Sequence, residues 1–407
     1  MIVQNKKYSA YSFGQLVKKK KFDWVDFCYV ISVVMAFGLL FFANEAESPD
    51  GTVISEGLGK LFYVPCLTAL LFSVFKRHKI DRVDRLIILL IILSILSSII
   101  NPPSGGSPLT WALTRFCFGI LCFWNIRNVS PVLFVRVLAL VSPLIVFTHY
   151  LLTNPFAYGL YRYAGFYGDP NYLAMGLNFI IVIEYLNWKW FHSVFSQILS
   201  LVTIIGAIPL ILVGVSRGGI IGLVFILLFI AWDLFRNSKK RFALLVLAAI
   251  LLASPIAARF SSQFSDIETR FDRNTDSDAS SADSRILEIQ SVVNVFSSHP
   301  VLILFGVGLG NNMRAAEMYP EDYIDKFQVH NTFFKLLFEQ GIFAFIVFCI
   351  LMFKQFMFTW KNKQKIYLGL YMGALVTTMT LGCITFMPFW IVFFFLWNRG
   401  LWGLFRE

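Results

Sequence analysis

The sequence predicts an all-α polytopic membrane protein with about twelve transmembrane helices and one large outer-side loop that contains an amphipathic helix. Of the 407 residues, 57% are hydrophobic and only 14% are charged, whereas a soluble domain carries about 25% charged residues. The apolar residues fall in long runs, and a helix of roughly 20 apolar residues crosses the hydrocarbon of a bilayer. Phenylalanine alone supplies 44 residues, which suits a lipid-facing surface. Ordinary soluble enzymes and disulfide-rich secreted scaffolds are therefore excluded.

Twelve apolar runs have the length and composition of spanning helices. They lie at residues 25–42, 58–75, 86–103, 108–125, 131–151, 171–187, 194–214, 218–235, 242–258, 331–353, 366–384 and 387–404. We therefore expect helices one to nine within residues 1–258, a large loop at 259–330 and helices ten to twelve within 331–407, all in one integrated membrane domain.

The basic residues cluster where the apolar runs end. With the N-terminus in the cytoplasm, 24 of the 35 lysines and arginines lie on the cytoplasmic side, as the positive-inside rule requires. Both termini are then cytoplasmic and the loop is on the outer side. The net charge of +11 thus reflects membrane topology, and no nucleic-acid partner is expected.

The large loop has two parts of different character. Residues 261–284 are polar and are expected to be mobile. A helix start signal follows at Asp283–Ser284, and four apolar residues then recur at helical spacing, which predicts an amphipathic helix over the membrane surface: Ile286, Ile289, Val293 and Phe296. The segment HPVLILFGVGLGNN is too short to span, and its glycines predict a turn that packs on the helix bundle.

Four charged residues stand out on the outer side because their positions converge on one membrane face: Arg162, Arg217, Arg285 and His330. The guanidinium group of arginine binds phosphate oxygens through two parallel hydrogen bonds and keeps its charge, so arginines suit a diphosphate. Histidine can take a proton near neutral pH. For each arginine the alternative is a side chain that snorkels from a helix end, and for His330 it is a structural or helix-capping role.

Metal and cofactor chemistry are not predicted. The six cysteines fall inside apolar runs and form no CxxC pair, so neither a disulfide framework nor a metal site is indicated. No carboxylate pair at the spacing of a glycosidase is discernible, which argues against a hydrolytic mechanism with two carboxylates.

The segments SRGG, SRILEI, HPVLILFGVGLGNN and HNTFFKLLFEQG, in this order around a long outer loop, resemble the bacterial O-antigen polymerase and O-antigen ligase superfamily. Its members are integral membrane glycosyltransferases with a GT-C type of fold. The resemblance implies transfer of a glycan from an undecaprenyl diphosphate carrier at the periplasmic face of the inner membrane, without a metal or nucleotide sugar. The loop would then be periplasmic.

The resemblance also assigns roles to residues. Arg217 and Arg285 fall on the family's diphosphate-binding arginines, and His330 falls on its histidine, which is proposed to activate the acceptor hydroxyl. Arg162 matches a less uniform arginine ahead of an asparagine-bearing turn. We expect three further residues to support the site: Asn171, Asn331 and Glu339.

Three functions remain open at this stage. A polymerase would transfer the growing glycan to the next lipid-linked repeat unit, and it is favoured because GFYGDPNYLAM and LFGVGLGNN look more like polymerases. A ligase would transfer the glycan to lipid A-core. A lipid-linked glycan transporter is the third, although transporters often carry polar sites at the membrane midplane. Expected partners are the lipid-linked oligosaccharide and membrane lipids, with a chain-length-regulating co-polymerase as a further candidate.

Overall fold

A computed structural model describes residues 23–42, 46–47, 53–55, 61–75, 80–101, 116–157, 162–240, 242–243, 276–322, 329–362 and 364–403. The regular structure in these residues is helical, apart from one antiparallel pair of short strands, β1 (Ala46–Glu47) and β2 (Val53–Ser55). The all-helical fold class predicted from the sequence is thus confirmed.

The main helices follow one another in this order: α1 (Trp24–Leu40), α2 (Tyr63–Phe75), α3 (Arg82–Ile100), α4 (Phe116–Arg127), α5 (Pro131–Leu152), α6 (Pro170–Trp190), α7 (Val194–Val213), α8 (Arg217–Asn237), α9 (Asp276–Ser298), α10 (Leu302–Phe305), α11 (Ala315–Met318), α12 (Thr332–Lys361), α13 (Ile366–Thr380), α14 (Met387–Leu396) and α15 (Arg399–Gly403).

Among the described residues, five helices are long and apolar enough to cross a membrane: α3, α5, α7, α8 and α12. Shorter apolar helices are α1, α2, α4 and α13. Many of their large apolar side chains are exposed, including Ile92, Leu228 and Phe353, as expected for lipid-facing surfaces. The chain is therefore a membrane protein, while the number of twelve spans stays a prediction. The ninth predicted span, 242–258, lies outside the described residues except for its first two positions.

Polar residues placed just before the helices explain where several of them begin, because a side-chain oxygen satisfies N–H groups of the first turn. Asp81 and Asp84 form a capping box at the start of α3. Asp169 caps α6, which then opens with Pro170, a residue whose ring suits the first helical position. Ser216 caps α8 through the amide of Gly219 at 3.0 Å.

The last predicted span, 387–404, differs from the structure. The chain there forms two short helices, α14 and α15. Every residue of α14 is buried, and its ten residues extend only about 15 Å at 1.5 Å per residue, half of the hydrocarbon thickness of about 30 Å. A helix that is apolar on all sides is typical of a protein interior or of a membrane span, and α14 is surrounded by protein. The segment still connects the start of α12, where the Cys383 amide donates to Thr332, with the start of α3, where Arg399 pairs with Asp81, so the twelfth span stays a prediction.

The two ends of the bundle differ in chemistry. At one end, Arg127 and Arg399 each form ion pairs with both Asp81 and Asp84, which join α3, α4 and α15. At the other end, Asn101 at the end of α3 donates a hydrogen bond to the Gly306 carbonyl at 2.6 Å, and the segment containing α9 to α11 docks there. We call this second end the loop end.

The helix of the large loop is longer than the sequence predicts. α9 begins at Asp276, so part of the stretch expected to be mobile is helical. Val292 and Val295 pack into a small apolar cluster with Phe338, and Phe296 of the predicted set lies against this cluster, whereas Ile286 and Val293 are exposed. The polar residues Glu288 and Ser291 share that buried face, which is why apolar spacing alone did not find it. The first part of the loop, 259–275, lies outside the described residues.

The glycine-rich turn packs on the bundle, as predicted. Gly341 interrupts α12 with φ 78° and ψ 178°, and Gly306 in the turn has φ 72° and ψ −177°. This backbone region is open almost only to glycine. Val307 and Gly308 donate hydrogen bonds to the carbonyls of Phe338 and Glu339, at 2.8 and 3.0 Å. The break at Gly341 thus lets the loop backbone pair with the backbone of α12.

Candidate functional site

The four charged residues selected from the sequence lie at the loop end, where helices begin. Arg217 is the first residue of α8, and His330 lies two positions before α12. Arg162 precedes the turn that leads into α6, and Arg285 lies on α9. Four separate elements therefore contribute to one end of the bundle, and the contacts between these elements show how the residues are brought together.

His330 is held by Glu288, a residue that the sequence analysis missed. One carboxylate oxygen of Glu288 lies 2.7 Å from Nδ1 of the His330 ring, and the other accepts a hydrogen bond from the His330 backbone N–H at 3.0 Å. The Glu288 side chain is only 4% exposed, whereas that of His330 is 47% exposed. The ring is thus anchored on its Nδ1 side to a buried carboxylate while nearly half of the side chain remains accessible.

The helix-capping role considered for His330 falls instead to its neighbour. Asn331 accepts hydrogen bonds from the amides of Phe333 and Phe334, at 2.9 and 3.2 Å, and its amide group donates to the Met379 carbonyl at 3.0 Å. In the structure, Asn331 therefore caps the first turn of α12 and connects that turn to the end of α13.

Arg285 and Arg217 are close enough to influence each other electrostatically. The pKa of Arg285 is lowered by partial removal from water and by the nearby positive charge of Arg217, while Glu288 acts in the opposite direction. Like charges are brought this close only at a cost in energy. Because Arg285 and Glu288 are one turn apart on α9, the same helix carries the arginine and the carboxylate that holds His330.

A second network joins α6 to α8. Asn171 accepts a hydrogen bond from the Ser216 hydroxyl at 2.6 Å and lies 3.5 Å from a guanidinium nitrogen of Arg162. The residue between Gly214 and Ser216, Val215, has a positive φ of 44°, which is rare for a β-branched side chain and marks backbone strain. The predicted supporting residue Asn171 thus connects Arg162 to the turn that begins α8 at Arg217.

The end of α13 lies between the starts of α8 and α12. A Cβ atom placed on Gly218 would lie 2.8 Å from the hydroxyl of Thr380, so the first turn of α8 packs directly on this segment. On the other side, the Thr332 hydroxyl donates a hydrogen bond to the carbonyl of Leu381 and accepts one from the Cys383 amide at 2.8 Å. Arg217 and His330 therefore flank one short stretch of chain at the end of α13.

The third predicted supporting residue, Glu339, lies fully buried beneath the glycine-rich turn. The backbone amides of Gly310 and Asn312 and the side chain of Lys335 are in electrostatic range of its carboxyl group. Both of its carboxyl oxygens are buried without a hydrogen-bond partner among the described residues, and such burial is costly, so the supporting role of Glu339 stays a prediction.

Glu288 could have been found from the sequence by one signal. In SRILEI it is an acidic residue on a segment of helical apolar spacing, one turn after Arg285. An acidic side chain among apolar neighbours is costly to bury unless it has a partner, and the partner is His330. That pairing spans 42 positions of sequence, and only the folded chain reveals it.

The described residues thus define a helical membrane protein whose loop end carries the three predicted arginines and a histidine bound to a carboxylate. Residues 199–349 match the family model described as O-antigen ligase. The match confirms the resemblance to the O-antigen polymerase and ligase superfamily for this part of the chain. It runs from α7 into α12 and contains Arg217, Arg285 and His330, whereas Arg162 lies before it. No curated protein matches the chain.

Proposed function

We propose that the chain is a membrane glycosyltransferase that polymerises a surface polysaccharide. It would transfer a glycan from undecaprenyl diphosphate to a hydroxyl of the next lipid-linked repeat unit. The observation that carries this proposal is the position of His330, bound to Glu288, beside the mutually close pair Arg217 and Arg285. The match to the O-antigen ligase family model over residues 199–349 supports the same class of reaction.

The arginines would bind the donor diphosphate. Arg217 and Arg285 come from different helices and carry permanent charges, so a diphosphate lying between them would relieve their repulsion and gain bidentate hydrogen bonds. Arg162, held near α8 through Asn171, would provide a third cation at the edge of the site. Fixed positive charge is what the departing diphosphate needs as negative charge accumulates on its bridging oxygen.

His330 would act on the acceptor. It takes the proton of the acceptor hydroxyl while the hydroxyl oxygen forms a bond to the anomeric carbon of the donor glycan. The bond between that carbon and the diphosphate oxygen breaks, and undecaprenyl diphosphate leaves with the electron pair. A single direct displacement of this kind inverts the anomeric centre. General-base catalysis of this type contributes about 10²–10⁴-fold to a rate.

The loop end would face the periplasm, with the chain in the inner membrane. The distribution of lysine and arginine supports this orientation, since the ion-paired end that contains Arg127 and Arg399 is then cytoplasmic. Partners would be the undecaprenyl-diphosphate-linked oligosaccharide and membrane lipids. A co-polymerase that regulates chain length is a further candidate partner.

A ligase is the alternative within the same chemistry, because the matching family model carries that name. The donor side of the site would be unchanged, and the acceptor would be lipid A-core. Deletion of the gene distinguishes the two: caps of a single repeat unit on a gel of surface glycan indicate a lost polymerase, whereas uncapped core with long carrier-bound chains indicates a lost ligase. Complementation with the unsubstituted gene is the control.

A transporter is the alternative from a different class. The purified chain can be incubated with lipid-linked repeat units in detergent micelles, where no membrane separates two compartments. Under those conditions a glycosyltransferase forms longer glycan, while a transporter forms no new glycosidic bond. Absence of any bond formation with an otherwise active preparation would refute the proposed function.

A further inference from the structure

We propose that Glu288 is a positioning residue that fixes the proton of the neutral His330 ring on Nδ1 and leaves Nε2 as the proton acceptor. The inference deepens the proposed function and rests on it for its catalytic meaning. It names a residue that acts through His330 instead of touching the substrate.

The assignment follows from the chemistry of the two groups. An ionised carboxylate offers only acceptor oxygens, and one of them lies 2.7 Å from Nδ1 of His330. A contact that short between nitrogen and oxygen requires a hydrogen between them, and with Glu288 ionised that hydrogen belongs to Nδ1. A neutral imidazole has one N–H group, and Nε2 is then the free acceptor.

Glu288 also fixes the orientation of the ring. Its second oxygen accepts from the backbone N–H of His330 at 3.0 Å, so the carboxylate holds the main chain and the ring of the same residue. Because Glu288 is almost fully buried on α9, its own position is set by the packing of that helix. The ring therefore cannot turn its Nδ1 away without breaking a partly buried, charge-assisted hydrogen bond.

α9 carries two side chains of the site, Arg285 and Glu288, on neighbouring turns. Arg285 lies within electrostatic range of both Arg217 and Glu288. Glu288 thus both contacts the His330 ring and lies in electrostatic range of Arg285. Docking of α9 would bring the diphosphate-binding charge and the carboxylate that orients the base into place together.

The tautomer can be measured without reference to activity. The chain has five histidines, so ¹⁵N-histidine labelling in lipid nanodiscs yields few signals, and the His330 signals are those lost in His330→Gln. At the assay pH we expect a protonated Nδ1 and an unprotonated Nε2. A proton on Nε2, or on both nitrogens, would overturn the inference.

Glu288→Gln is the informative substitution because it keeps the shape and loses one acceptor. An amide can accept from only one of the two N–H groups of His330. If its oxygen keeps the backbone N–H, its NH₂ group faces Nδ1 and drives the ring proton to Nε2. We expect kcat to fall by about 10- to 100-fold, a loss typical when the partner that orients a functional histidine is removed, with KM for the lipid-linked donor little changed.

Glu317→Gln is the matched control. Glu317 belongs to the same loop insertion but has a largely exposed side chain that pairs with Arg314, so kcat, KM and the His330 signals should stay those of the unsubstituted chain.

Two kinetic outcomes for Glu288→Gln count against the inference. An unchanged kcat would refute it, and a raised donor KM with unchanged kcat would mean that Glu288 only docks the loop.

The proposed function can fail separately. If His330→Gln transfers glycan at the unsubstituted rate, His330 is not the base, and this holds whatever tautomer the spectra show. If His330→Gln is inactive but the spectra of the unsubstituted chain place the ring proton on Nε2, His330 remains the candidate base and the positioning role of Glu288 is wrong.

Discussion

Docking of the glycine-rich turn can be tested at Gly306, where the loop backbone meets α12. A Cβ atom at this position would lie 2.5 Å from the backbone nitrogen of Gln340, far closer than real atoms approach. The backbone conformation, φ 72° and ψ −177°, is also one that alanine adopts only at a cost of about 1–3 kcal/mol. Gly306→Ala should therefore displace the turn from α12.

The size of the effect follows from the strain that the substitution adds to the docked turn. The hydrogen bonds from Val307 and Gly308 to α12 are lost on undocking with or without the substitution, so they do not change the comparison. The conformational cost of about 1–3 kcal/mol alone reduces the ratio of docked to undocked turn about 5- to 150-fold, since about 1.4 kcal/mol corresponds to a factor of ten. The steric overlap of the added Cβ atom with the backbone of α12 increases the effect.

Hydrogen exchange measured by mass spectrometry checks this directly. The peptide that contains Val307 and Gly308 should exchange much faster in Gly306→Ala, and glycan product should fall because α9 carries Arg285 and Glu288. The control is Gly38→Ala in α1, where an added Cβ would meet Ile145 and Val141 side chains at an ordinary 3.7 Å. Unchanged exchange in Gly306→Ala, or fast exchange with normal product, would refute the reasoning.

Four further predictions concern the chemistry and the topology. His330→Gln should insert and bind the lipid-linked donor but lose about 10²–10⁴-fold in transfer rate, as measured with purified protein; a near-normal rate would mean that the base lies elsewhere. Arg285→Lys should lose most activity at a normal expression level, because an ammonium group cannot reproduce the bidentate fork; normal glycan on a gel would contradict a diphosphate role. Cysteine at Ser280 should react with an impermeant thiol reagent once the outer membrane is permeabilised, in contrast to the unsubstituted chain; labelling only after inner-membrane lysis would reverse the topology. EDTA should leave transfer from a purified lipid-linked donor unchanged, and loss that is restored by added Mg²⁺ would show that a metal shares the charge stabilisation.

The sequence allowed prediction of what depends on local pattern. The apolar runs coincide with helices such as α3, α5 and α8, because length and hydropathy decide whether a helix suits a bilayer. The turn glycines were identified as well, since Gly306 adopts a conformation that other residues rarely reach. What the spacing did not identify is the face of α9 that contacts the protein, where Glu288, Val292 and Val295 are buried.

The failure has a physical cause that also explains why Glu288 was missed. Amphipathic spacing assumes that apolar side chains face the core, yet α9 covers a site and its inward face must carry polar groups. The energy of burying Glu288 is offset by two hydrogen bonds to His330, a partner 42 positions away. Such long-range pairing leaves no periodicity in the local sequence. Similarly, the apolar sequence of α14 predicts a buried helix but not whether lipid or protein surrounds it, because both favour the same residues.

The construction of the site suggests why its parts lie on separate elements. Arg217 is fixed at the start of α8 by the Ser216 cap, and His330 is fixed beside α12 by Asn331. Arg285 and Glu288 lie on α9, which is held by its apolar cluster with Phe338, by the Glu288–His330 contacts and by the turn that follows it. Docking brings two like charges together, a cost that a bound diphosphate would remove, so by linkage the donor should stabilise the docked loop. The donor would then strengthen the docking of the helix whose carboxylate already orients the base.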